Sequence, residues 1–298
     1  MLRFLSAIGM SQYSDPKKLD EFIRQQLRDP ACSLYTYLRR DSGGLQFELW
    51  KNMGPFALNL TGVRGVRETV TGFFPLVREY RSIPYRDCEI REERPGCFFL
   101  SGVEEESGEG SKLMLTSAAG LYEKGELVTK ERYRSSCYGL SVEGKILLGV
   151  ERDEEEIQAL KEEEEWRREM LARALQGDEE ALEETEDFIE GTEEEIRERL
   201  RSEDVYTILD GFFLQHGGSN AYTMLGEILY VDKMMNPETE EWVYRLQVKI
   251  LGATLGVYIN PRDLVGVPAV GRRFRGEVLL QGMICPERLL LDHSRGFF

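Results

Sequence analysis

The chain has 298 residues, 41% hydrophobic and 10% aromatic, a composition that supports at least one full core. Its 54 acidic residues outnumber 38 basic ones, for a formal charge of −16. That sign argues against non-specific nucleic-acid binding, which needs Lys and Arg on phosphates, and against docking to an anionic membrane; a basic protein partner, or solubility alone, suits it better.

The charge is not spread evenly. Residues 151–204 hold 24 acidic and 8 basic side chains, which accounts for the whole −16, and the remainder carries 30 of each sign. The five cysteines (Cys32, Cys88, Cys97, Cys137 and Cys285) are odd in number and form no C-x-x-C pair. With only two histidines, a Cys/His zinc site has few available ligands. Reduced thiols in a cytoplasmic protein are expected. No apolar run approaches the ~18–20 residues of a membrane span. The opening Met1–Met10 is read as part of the fold, because polar Ser11, Gln12 and Asp15-Pro16 follow its short apolar patch at once.

Asp15-Pro16 opens a helix, with Asp as N-cap and Leu19, Phe22, Ile23 and Leu27 at helical spacing. Short β-forming runs follow at Ser33–Arg39, Leu45–Trp50 and Phe56–Thr61, separated by Gly43-Gly44 and Gly54-Pro55, and predict an antiparallel meander. Thr69–Val77 is apolar but interrupted by Pro75, and Arg78–Arg94 is charged; neither has a clear assignment. Gly96–Val103 and Lys112–Thr116 read as strands around an acidic, mobile loop at 104–111. Tyr138–Val150 reads as a hairpin turning at Glu143-Gly144.

The acidic window carries helix punctuation. Asp153, Asp178 and Thr192 are candidate caps, Gly177 and Gly191 are stops, and Thr192–Glu195 forms a capping box. Past Asp204 the pattern returns to strands, at Val205–Leu214, Thr223–Val231, Trp242–Leu251, Leu255–Ile259 and Glu277–Ile284. Asn260–Leu264 is a turn able to start one helical turn. The expected fold is therefore α+β, with antiparallel β-sheets from both flanks and a central acidic helical segment. Its regions are 1–150 (N-terminal, α+β), 151–204 (acidic, helical) and 205–298 (C-terminal, β-rich).

Three groups of residues invite a functional reading. Arg272, Arg273 and Arg275, between Gly271 and Gly276, could clamp a phosphate or carboxylate, or simply pair with the acidic segment. His216, followed by Gly217-Gly218-Ser219-Asn220, could serve as a general base beside glycine amides and Ser219, although a strand-connecting loop explains the same composition. The glutamates at 162–165 and 193–195 could hold cations loosely, but consecutive acids point around a helix rather than converging. Walker, dinucleotide-binding and H-E-x-x-H patterns are missing from the sequence. No cofactor and no metal ligand set is therefore assigned.

Ordered motifs add a resemblance. Arg3-Phe-Leu-x-Ala-Ile-Gly9, Gln176–Leu182, Ser202–Tyr206, Leu225–Ile228, Ile259-Asn260 with Asp263-Leu264, Pro268–Gly276 and Leu280–Gly282 follow in sequence. In this order they resemble an uncharacterised bacterial domain-of-unknown-function family, found mainly in anaerobic Gram-positive bacteria, over residues 1 to about 284. The resemblance implies a soluble cytoplasmic bacterial protein and brings no activity with it. Two functions are expected. One is a non-enzymatic cytoplasmic binding or scaffold protein that meets a protein partner through the acidic segment or an exposed sheet edge. The other is an anion-binding sensor or enzyme with a cleft near His216, Glu227 and Arg272–Arg275.

Overall fold

The computed structural model describes residues 1–40, 44–65, 68–78, 82–105, 107–108, 110–149, 211–250 and 253–284, with scattered positions between 158 and 178. Within them the chain is α+β, with antiparallel pairing in both halves. The acidic segment at 151–204 lies almost wholly outside the described residues, as does the tail from 285; Gln158, Glu162, Glu165, Trp166, Glu169, Met170 and Arg173 are described there, and all are helical.

The N-terminal apolar patch is a 3-10 segment, Leu2–Ile8, whose Leu5, Ala7 and Ile8 are fully buried. Helix α1 (Pro16–Gln26) starts as expected: the Asp15 carboxylate accepts from Lys17 N at 2.8 Å, and Leu19 and Phe22 turn inward. Strands β1 (Ser33–Arg39), β2 (Gly44–Met53), β3 (Phe56–Arg64) and β4 (Glu68–Val77) form an antiparallel sheet in that order. Pro75 does not interrupt β4, because β4 is the sheet edge, where a missing N–H can face away from the ladder.

The second sheet draws on both flanks. The first contributes β5 (Ile83–Arg94), β6 (Cys97–Glu104), β7 (Gly110–Leu115), β10 (Tyr133–Ser135) and β11 (Tyr138–Leu147). The second contributes β12 (Phe212–Gln215), β13 (Ala221–Met235), β14 (Trp242–Ile250), β15 (Ala253–Ile259), β16 (Leu264–Val265) and β17 (Arg273–Gly282). A short hairpin of β8 (Tyr122–Glu123) and β9 (Glu126–Leu127) stands apart. The pairings β17–β11–β15–β14–β13 return to β17 and so close a ring of five strands. Parallel pairs stitch the flanks together, with β11 beside β15 and β17 beside β7. The antiparallel expectation thus holds hairpin by hairpin, but the joined sheet is mixed.

Two further expectations are corrected. Tyr138–Val150 is not a hairpin: β11 runs straight through Glu143-Gly144 with a bulge opposite β17. Gly144 is there for space, since a Cβ on it would lie 2.6 Å from the Phe274 ring, which fills the small ring of strands. The acidic stretch at 104–111 is shorter than a loop of that length, because β6 and β7 take both ends and Gly108 N bonds back to Glu104 O at 2.9 Å.

Two large cores result. One fills the strand ring and the curved sheet beside it, with Met224, Ile228, Leu246, Val248, Val257, Ile259, Phe274 and Val278 packed with Leu100 and Leu113. The other lies where the four-stranded sheet, α1 and the N-terminal segment meet the outer wall of the ring at Tyr138, Leu140, Val243 and Tyr258. The outer wall of β13 and β17 beyond that contact carries the residues singled out above.

Candidate functional site

Side chains alternate across a strand, so register places them. Thr223 sits opposite Leu214 on β12 and Glu277 on β17, while Glu227, four residues on, sits opposite Arg273 on β17 and Lys249 on β14. At about 3.3 Å per residue this separates the two groups by roughly 13 Å along the wall. The register spreads the expected cleft residues along the wall, with Arg275 opposite Leu225 between the two groups. His216 gathers at one end of the strip, and Glu227 with Arg273 at the other.

The arginines are engaged with the fold. Arg272 Nη1 donates to Val267 O at 2.8 Å, and buried Arg273 donates from Nε to Leu148 O at 3.0 Å. Both tie the turn before β17 to neighbouring backbone. Arg275 lies between Lys145 of β11 and Leu225 of β13.

His216 closes β12, and Gly217-Gly218 turn the chain back with φ of 53° and 70°, left-handed values that glycine adopts without strain. The turn is pinned on several sides. His216 N donates to Ala221 O and Ser219 N to His216 O, both at 2.9 Å. Asn220 Nδ2 donates to Leu280 O at 2.9 Å, and Lys112 Nζ reaches Gly218 O at 2.7 Å. Below the turn, Phe213 stacks on Tyr222 with centroids 4.3 Å apart, and the Tyr222 hydroxyl accepts from Lys112 N at 2.8 Å. The imidazole is thereby held over β13, with Nε2 at 2.6 Å from Thr223 Oγ1 and Nδ1 at 3.4 Å from Glu277 Oε1. The second Glu277 oxygen meets Arg3 Nη2 at 3.4 Å. Ser219 does not face the histidine; its hydroxyl accepts from Ala221 N.

The sequence reading found His216 and missed Thr223, Glu277 and Arg3. Thr223 was within reach, since a four-residue turn at 217–220 sets 214 opposite 223. Glu277 and Arg3 are more than fifty residues away in sequence, and only the ring closure brings them in.

Elsewhere, a cleft of about 280 Å³ lies between the end of α1 and the first sheet, lined by Leu27, Asp29, Cys32, Leu34, Phe47 and Leu49 among others. Among the described residues no cluster of His, Cys, Asp and Glu could hold a metal ion, and no helix is long and apolar enough to cross a membrane.

Comparison with known proteins gives one positive result. A family model described as a domain of unknown function from an E. rectale gene description (DUF3881) matches residues 5–282. Neither the curated proteins nor the solved structures provide a match. The match takes in the later part of the 3-10 segment, the strands of both large sheets and every residue of the His216 cluster except Arg3. The chain belongs to the DUF3881 family of E. rectale, an anaerobic Gram-positive bacterium.

Proposed function

We propose that this is a cytoplasmic binding protein that takes an extended segment of a basic protein partner along the open edge of β1. One observation carries the reading. Among the described residues no strand pairs with the outer side of β1, and its sequence from Ser33 to Leu38 bears no charge and no proline. Edge strands normally carry such guards against pairing. Here Leu34, Tyr35 and Leu38 are 45%, 51% and 48% exposed instead. The β8–β9 hairpin covers the other half, where Tyr37 stacks on Tyr122 with centroids 5.4 Å apart and Arg40 N donates to Gly125 O at 3.1 Å, and it leaves the Ser33–Thr36 end open. The cleft at Leu34 adjoins the open end and offers a pocket for an apolar side chain.

The charge selects the partner. Two copies joined by this edge would bring two chains of −16 together, which self-repulsion opposes, whereas a basic segment is attracted. The acidic segment at 151–204, with 24 acidic and 8 basic side chains, supplies that field.

The test uses a fluorescent eight-residue peptide of alternating valine and lysine, with anisotropy read at low and moderate salt. Binding to the native chain should weaken as salt rises and should be lost in the Tyr35→Lys/Leu38→Lys variant. Equal binding by that variant, or sedimentation showing a dimer that the variant breaks, would overturn the proposal.

A further inference from the structure

The geometry points to a second activity at a different place: acyl transfer from small, unhindered esters, with Thr223 as nucleophile and His216 as its base. Three groups stand in the order that such chemistry requires. Thr223 Oγ1 lies 2.6 Å from His216 Nε2, and His216 Nδ1 lies 3.4 Å from Glu277 Oε1. In the tautomer with the proton on Nδ1, facing Glu277, Nε2 accepts the hydroxyl proton of Thr223. Nucleophile, base and orienting carboxylate are each on a different strand or strand end, so none can drift without disturbing the ladder.

The arrangement is also preorganised and reachable. The turn carrying His216 is fixed by Lys112, Asn220 and Tyr222, which removes much of the freedom a surface histidine usually keeps. The imidazole is still 44% exposed, so an ester can approach from solvent. The charged groups around it are Glu277 on β17, Glu143 opposite it on β11, Arg3 from the N-terminal segment, Arg275 two residues along β17, and Lys112 behind the turn.

The step balances without a cofactor. Thr223 Oγ1 adds to the ester carbonyl carbon while Nε2 takes its proton. The tetrahedral adduct then expels the leaving-group oxygen, which recovers that proton from the imidazolium. Water, deprotonated by the same imidazole, then adds to the threonyl ester, and the adduct releases the carboxylic acid as Thr223 Oγ1 recovers the proton from the imidazolium. Thr223 and His216 are the catalytic residues, and Glu277 is a positioning residue.

The experiment treats the full chain with p-nitrophenyl acetate, following nitrophenolate release and locating the acetyl group by mass spectrometry. A burst with acetyl on Thr223 is expected. Thr223→Val, which keeps the side-chain shape, should lose both burst and label, and Thr223→Ser should restore them. His216→Ala should slow acylation by at least about a hundredfold. Glu277→Gln should keep the site but move the acid limb of the pH–rate profile, a change that loss of packing alone would not give. Unchanged urea midpoints for Thr223→Val and Thr223→Ser separate chemistry from unfolding. Acetylation only of lysines, or a burst of equal size in Thr223→Val, would overturn the assignment.

Discussion

Arg39 and Glu92 form a two-point ion pair between the two sheets, with contacts of 2.9 and 2.7 Å from Nη1 and Nη2. Arg39 ends β1 and Glu92 lies in β5, so the pair fixes one sheet against the other. The guanidinium also lies over the Phe98 and Tyr122 rings, 5.5 and 5.3 Å from their centroids. Its side chain is only 8% exposed. Lysine cannot reproduce either the fork or the stacking. Arg39→Met should cost about 1.5–3 kcal/mol of unfolding free energy, because it removes a charge-assisted two-point bond between a buried guanidinium and a partly exposed carboxylate. Arg39→Met/Glu92→Gln should cost less than the sum of its single changes. Denaturant titration of the four chains checks this, and strict additivity would deny the coupling.

Glu48 provides the second tie. It is fully buried, and its carboxylate accepts from Ala118 N at 2.6 Å, Ser117 Oγ at 2.7 Å, Ala119 N at 3.0 Å, Asn59 Nδ2 at 3.2 Å and Trp50 Nε1 at 3.3 Å. A glutamine there would turn an NH₂ toward donors, of which only the Ser117 hydroxyl can also accept. Unsatisfied buried donors cost about 1–3 kcal/mol each, so Glu48→Gln should lower stability by roughly 3 kcal/mol and Glu48→Ala by more. A urea midpoint within error of the native chain in Glu48→Ala would contradict this.

Gly144 shows where sequence reading runs out. Hairpins, caps and the Asn260 turn were legible because their signals are local: Asp15 caps α1, and the Asn260 side chain accepts from Arg262 N as an Asx cap should. Glu143-Gly144 sends the same local signal, a turn, for a different reason. The glycine answers to Phe274, 130 residues away, and to Ile259 and Leu264 at 3.0 and 3.1 Å from its virtual Cβ. The charged run of β5 was obscure for a similar reason, since its alternation is broken by two register shifts against β6. Thr223 with Glu277 likewise depends on ring closure rather than on any motif. Gly144→Ala should therefore destabilise by about 1–3 kcal/mol through overpacking, and Phe274→Leu should relieve part of that loss. Thermal or urea unfolding of the single and double variants provides the check.

Asp29 and Lys51 set an acid-sensitive contact. Asp29 accepts from Ala31 N at 2.9 Å and from Lys51 Nζ at 3.1 Å, and these bonds hold its carboxyl below the ordinary 3.8. A depressed folded-state value means stability that is present above the unfolded value, near 3.9, and lost as pH falls through the folded one. Lys51 is shifted the other way, upward from 10.5 by Asp29 and Glu238 against the opposing effect of its burial, so its contribution is present at neutral pH and lost at strongly alkaline pH. Asp29→Asn should flatten the stability profile below about pH 4, leaving the neutral plateau lowered. An acid limb of unchanged steepness in that variant would rule out Asp29 as a contributor.

The described thiols should resist modification. Burial raises Cys137 to about 12, with the Glu104 carboxylate adding to the rise and a bond to the Tyr85 hydroxyl opposing it. Cys32, Cys88 and Cys97 are also raised, burial being the leading cause in each. The thiolate is the reacting species, so at pH 8 Cys137 is held as the unreactive thiol. In a Cys285→Ala chain, a disulfide reagent at pH 8 should modify the native protein slowly and all four remaining cysteines at once after guanidinium unfolding. Mass mapping of the native reaction should place Cys137 last. Rapid labelling of Cys137 in the folded chain would mean that the barrier provided by its surroundings, Tyr85 included, opens on the timescale of the assay.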